Sequence, residues 1–127
     1  MSRPRGWIIP KRIVHESGVR GGALADVQLI CGAGPYEVDI LVREHQVPSR
    51  LEIVGQITLG GRIHEPVSGL QIELVDSGKS TTAGDTRTDG FGEFDLESND
   101  KRRTYGLRLG AEAEAPCVLV WEQIPPA

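Results

Sequence analysis

Thr88-Asp89-Gly90-Phe91-Gly92-Glu93-Phe94-Asp95-Leu96, residues 88–96, reads as a tight turn running into a short strand. Asp bonds readily to the backbone that follows it and Gly accepts positive φ at no steric cost, so Asp89-Gly90 marks the turn. Beyond it Phe94 and Leu96 fall on one side while Glu93, Asp95 and Glu97 fall on the other. That period of two is the pattern of a half-buried strand. Thr88, Asp89, Gly92 and Phe94 are the residues assigned to this structural turn. Its chemistry sets register and supplies no catalytic group.

Similar ribbons extend in both directions. Upstream, Leu70, Ile72 and Leu74 alternate with Gln71, Glu73 and Val75, and Ser77 to Gly84 is a polar tip after them. Asp85 to Thr88 is a short charged strand suited to a sheet edge, where charge discourages association. Leu51 to Leu59 is a strand in which Gly55 stands where a side chain would crowd a neighbour or where the strand bends. Glu44 to Arg50, polar and broken by Pro48, is read as a connection. Val38, Ile40 and Val42 alternate within Tyr36–Arg43, and Gly32-Ala33-Gly34-Pro35 turns back to a strand at 25–31. Downstream, Tyr105, Leu107 and Leu109 alternate, and Cys117-Val118-Leu119-Val120-Trp121 is the last strand before Pro125-Pro126. Eight or nine short strands with no convincing helix predict an all-β sandwich.

At 127 residues the chain fits one domain. Residues 1–22 are read as a basic N-terminal arm and 23–127 as a single sandwich domain. A net charge of −4 argues against nucleic acid as the main partner, which needs a concentrated basic surface. Lys101-Arg102-Arg103 is read as a solvated hairpin tip. The apolar run Trp7-Ile8-Ile9 is cut off by Pro10 and Lys11, too short for a secretory signal or a membrane span. A cytoplasmic protein with no membrane partner is expected. The two cysteines, Cys31 and Cys117, stand far apart and form neither a zinc motif nor a C-x-x-C pair, which favours separate buried thiols over a disulfide.

Three pieces, Val54-Gly55-Gln56-Ile57, then Glu65-Pro66-Val67-Ser68-Gly69-Leu70-Gln71-Ile72-Glu73-Leu74, then Thr88-Asp89 with Gly92, Phe94 and Leu96, together resemble the carboxypeptidase regulatory-like family. The resemblance spans residues 51–110. It implies a Greek-key β-sandwich of about seven to nine strands, seven in the family, transthyretin-like (prealbumin-like), that serves as a folding, binding or interaction module without a peptidase site. A slighter likeness joins Gly34–Ile40 to a segment of small bacterial proteins encoded near sigma-factor genes.

Chemistry has little to stand on. Gly78-Lys79-Ser80 lacks the earlier Gly of a phosphate loop, its place being taken by Glu73. His15, His45 and His64 are expected in loops and have no metal-ligand spacing. Asp85, Asp89, Asp95 and Glu97 do not follow the intervals of a calcium loop. The chain also lacks the Tyr-Arg-Gly-Ser ending of the transthyretin-related hydroxyisourate hydrolases and the Tyr and His ligand set of intradiol dioxygenases. Its serines have no nucleophile-elbow context. Lys11, Lys79 and Lys101 fall outside the strands that would host an isopeptide bond.

The expected function is therefore a non-enzymatic interaction module with a protein partner and no cofactor. An edge strand, a loop tip or the apolar chain ends would make the contact. Trp7, Ile8, Ile9, Trp121 and Ile124 are the candidate contact residues, because large apolar groups near chain ends are strong anchors once covered. Two other readings stay open: a small hydrolase or metal-dependent enzyme using the loop histidines and carboxylates, and a carbohydrate-binding module, for which few aromatic platforms exist.

Overall fold

The computed structural model describes residues 6–15, 23–61, 63–78 and 81–122. Nine strands follow in order: β1 (Lys11–His15), β2 (Ala23–Ala33), β3 (Tyr36–Gln46), β4 (Ser49–Leu59), β5 (Gln71–Asp76), β6 (Thr81–Arg87), β7 (Glu93–Ser98), β8 (Tyr105–Leu109) and β9 (Cys117–Trp121). No helix occurs among the described residues. The strands form two antiparallel sheets, one of five in the order β1-β2-β3-β4-β7 and one of four in the order β6-β5-β8-β9.

Alternation explains the layers. In β3, Val38, Ile40 and Val42 are buried while Glu37 and Asp39 are exposed. Opposite them stand Ile57, Gly55 and Ile53 of β4. Ile72 and Leu74 of β5, Leu107 and Leu109 of β8, and Val118 and Val120 of β9 join Phe94 and Leu96 of β7 in one cluster shared by both sheets. Each Leu or Ile buried there contributes about 1.5–3 kcal/mol relative to exposure.

Three local expectations need correction. Positive φ falls at Gly92 (φ 75) rather than Gly90, and a Cβ at Gly92 would also meet the Ile57 carbonyl oxygen, so glycine is required there on both counts. Residues 44–50 are not an irregular connection: β3 and β4 run through them, pairing Glu44 with Leu51, His45 with Arg50 and Gln46 with Ser49. Ladder bonding outweighs polarity at this solvated end of the sheet. Residues 11–15, taken from sequence as part of the arm, form β1 at the edge of the larger sheet, paired from Lys11↔Ile30 to His15↔Asp26.

Gly55 has a packing cause. A Cβ there would lie 2.7 Å from Phe94 Cζ and 2.9 Å from the Asp39 carbonyl oxygen. The Phe94 ring thus rests on bare backbone of the neighbouring strand, and this close approach seats β7 on β4.

Candidate functional site

Strand number creates the site. β6 packs beside β7 and β2 beside β9, so the four-stranded sheet covers the inner face of its partner from β7 to β2 and leaves β1 uncovered. Register places Arg12 opposite Leu29 and Val14 opposite Val27. Both β1 side chains therefore share the face of buried Leu29, yet Val14 remains 55% exposed. Below this overhang lies a groove of about 360 Å³, lined chiefly by Ile9, Pro10, Val27, Leu29, Leu119 and Trp121, with Arg12 and Glu122 also on its wall.

Pro10 is the local reason the groove stays open. Ile8 makes one parallel bridge to β9, its N–H donating to the Cys117 carbonyl at 2.8 Å and its carbonyl accepting from the Leu119 N–H at 2.9 Å. A ladder continuing in that register would need an N–H two residues on, and Pro10 has none. The chain leaves β9 there and crosses to become β1, with Ile9 left 50% exposed. On the other wall a register shift between β8 and β9 separates the pair Gly106↔Leu119 from Tyr105↔Trp121. Bulges re-aim side chains. Trp121 packs partly on the core, borders the groove, and donates its Nε1–H to the Lys101 carbonyl at 2.9 Å.

Of the candidate contacts, Ile9 and Trp121 meet on this groove. Ile8 packs against the core instead. Trp7 lies on the far side of the four-stranded sheet, over Gly106, where a Cβ would come within 2.6 Å of both the indole ring and Cys117 Sγ. Ile124 lies outside the described residues. Arg12, Pro10 and Val27 were not legible as site residues, since their shared position depends on how the sheets overlap.

Trp7, Val75, Arg108 and Cys117 border a second cavity of about 320 Å³. Arg108 donates from Nη2 to Glu73 Oε2 at 3.0 Å, while its buried Nε has no partner among the described residues. Burial pushes the Cys117 thiol up to about 11 and also raises Cys31, and both cysteines are free. The thiolate is the reactive form, so burial makes both poor nucleophiles at neutral pH.

The loop between β7 and β8 is polar and tied down. Tyr105 OH donates to the Asp100 carbonyl at 2.9 Å and shares a 2.8 Å bond with Ser98 Oγ. Burial raises the Tyr105 phenol, and the Arg102 side-chain hydrogen bond holds the Asp100 carboxyl below its ordinary range. Lys101, expected at a solvated tip, turns inward instead and donates to Glu44 Oε2 at 3.1 Å and to the His45 carbonyl at 3.0 Å. A partner 57 positions away is invisible to local reading.

The histidines go to separate partners: His15 to Gln28 at 3.0 Å, His45 to Glu52 at 3.2 Å and His64 to Glu37 at 2.9 Å. His15 and His45 lie in β1 and β3 rather than in loops, since the strands extend beyond their apolar centres. No three His, Cys, Asp or Glu side chains among the described residues are grouped to hold a metal ion. Asp85 accepts from Gln71 Nε2 at 3.2 Å, and Glu97 pairs with Arg50 at 2.7 Å. Asp89 Oδ1 accepts the backbone N–H groups of Phe91 and Glu93, each at 2.9 Å. Of the phosphate-loop candidate, Lys79 and Ser80 lie outside the described residues. No helix among those residues is long and apolar enough to cross a membrane.

Compared with family models, with curated proteins and with solved structures, the chain matches none.

Proposed function

We propose that this chain is a non-enzymatic binding module, a Greek-key sandwich of the transthyretin-like kind to which the carboxypeptidase regulatory-like resemblance points. It engages a protein partner through the groove between β1 and β9. The observation that carries this reading is the half-exposed Ile9 beside Trp121, in an apolar groove next to β1, the strand that the second sheet leaves uncovered. An apolar concavity with a few polar groups at its rim is the usual form of a recognition site. Free thiols in two separate strands accord with a reducing, cytoplasmic setting.

The test is site-specific photo-crosslinking in the native cell, with a benzophenone amino acid at Ile9 and, as control, at Phe91, which is 70% exposed on the β6–β7 turn. A discrete adduct at Ile9 that is missing at Phe91 supports the groove. Equal adducts at both positions, or none at either, overturn it.

A further inference from the structure

We infer that β1 is a docking edge for an extended acidic segment of a partner protein, which adds to the five-stranded sheet as a further strand and lowers alternate apolar side chains into the groove. This deepens the binding role proposed above and rests on it.

Three observations converge on the edge. β1 pairs with β2 on one side only, and no strand among the described residues occupies the other. An open edge presents a row of backbone donors and acceptors that an extended peptide can satisfy. Next, its charge is unanswered: Lys11 and Arg12 form no ion pair among the described residues. Of the other described cations, Arg43, Arg50, Lys101, Arg102, Arg103 and Arg108 have a carboxylate within 4.0 Å, and Arg87 donates to the Gly69 carbonyl. Residues 1–15 contain Arg3, Arg5, Lys11 and Arg12 and no acidic residue, in a chain whose net charge is −4. Finally, period-two geometry links edge and groove. A strand added beside β1 would set alternate side chains next to Arg12 and Val14, above the floor formed by Val27 and Leu29. The intervening side chains would stand beside Lys11, Ile13 and His15 on the outer face.

Charge also discriminates among occupants. Antiparallel pairing of β1 with β1 of a second copy, centred on Ile13, would set Lys11 opposite His15 and bring two basic edges together. The acidic edge strand β7 of a second copy is a better electrostatic match, but that contact is head-to-tail and would assemble the chain into rings or open filaments. A separate acidic strand meets the charge and the groove without either cost.

The experiment pans a phage library of random dodecapeptides on the intact chain. Selected peptides are then measured as synthetic fluorescent probes by anisotropy. Expected are peptides alternating Asp or Glu with aliphatic residues, whose affinity falls at least tenfold on K11E/R12E, falls with added salt, and is abolished by a central proline. Neutral or basic winners, or binding unchanged by K11E/R12E, overturn the proposal. Neutral apolar winners lost on Ile9→Asp but kept on K11E/R12E would remove the acidic strand and leave the groove reading standing. A chain that sediments as polymers dissolved by K11E/R12E would name a second copy as the occupant and likewise overturn it. Matching melting curves for the variant and the parent protein separate loss of binding from loss of fold.

Discussion

At both lateral sides of the sandwich the chain passes between the sheets, and the two crossings are built in opposite ways. At the β6–β7 corner the turn is tied to its neighbours by a set of specific hydrogen bonds. Thr88 N–H donates to the Leu70 carbonyl and Thr88 Oγ1 to the Val67 carbonyl, Asp89 Oδ1 takes two backbone N–H groups, and Ile57 N–H donates to the Gly92 carbonyl. Phe94 fills the space above Gly55. At the β9–β1 side the crossing is held by the one bridge at Ile8, ended by Pro10, with Ile9 and Val14 half out in solvent. The closed corner is held by this network of bonds, whereas the open side combines an apolar groove with cations that have no ion pair among the described residues. The first is architecture and the second is available for recognition.

Breaking the closed corner should have the largest effect. Gly92→Val forces a branched side chain into positive φ and against the Ile57 carbonyl, and should lower stability by more than about 3 kcal/mol in urea denaturation. Gly55→Ala pushes on the Phe94 ring and should cost about 1–3 kcal/mol, with part of the loss recovered when Phe94→Leu is added in a double-mutant cycle. Tyr105→Phe removes the hydroxyl that binds Ser98 and the Asp100 carbonyl, and should cost about 1–1.5 kcal/mol in the same assay.

A pH series probes the crossing segment. The Cys117 thiol is raised in the folded chain from 9.0 to about 11, so the folded state holds its proton more tightly than the unfolded state. The stability linked to this thiol is fully present below pH 9 and is lost as pH rises through about 11. Cys117→Ala should remove that part of the alkaline decline. Trp7→Ala, by uncovering the thiol, should speed its alkylation at pH 8. The smallest effect on stability is expected at the open side: Ile9→Ser should change unfolding free energy by less than about 0.5 kcal/mol while weakening the binding of peptides selected on the groove, read by anisotropy. A large loss of stability there would make the groove part of the architecture and erase the contrast.

Legibility tracked the distance over which each feature is decided. The alternation of Val38, Ile40 and Val42, or of Phe94 and Leu96, is written in adjacent residues, and so all-β character with turns at glycine was plain. The hairpin through Glu44–Arg50 was hidden because its stability comes from the facing strand and from Lys101, not from local propensity. Trp7, Ile8 and Ile9 read as one apolar unit, yet the fold sends them to the outer face of one sheet, to the core and to the groove. No spacing rule foretells that division, because the segment pairs with β9 for a single residue before Pro10 ends the match.

By itself the sequence determined the period of two, the turns and the aliphatic faces, since these follow from how neighbouring residues alternate and which of them tolerate a bend. Only the tertiary structure decided that five strands lie over four. That unequal overlap leaves the inner face of β1 bare and brings Arg12, Ile9 and Trp121 to one groove. Long-range register sets such a meeting, and register is a property of pairs of strands rather than of any one of them.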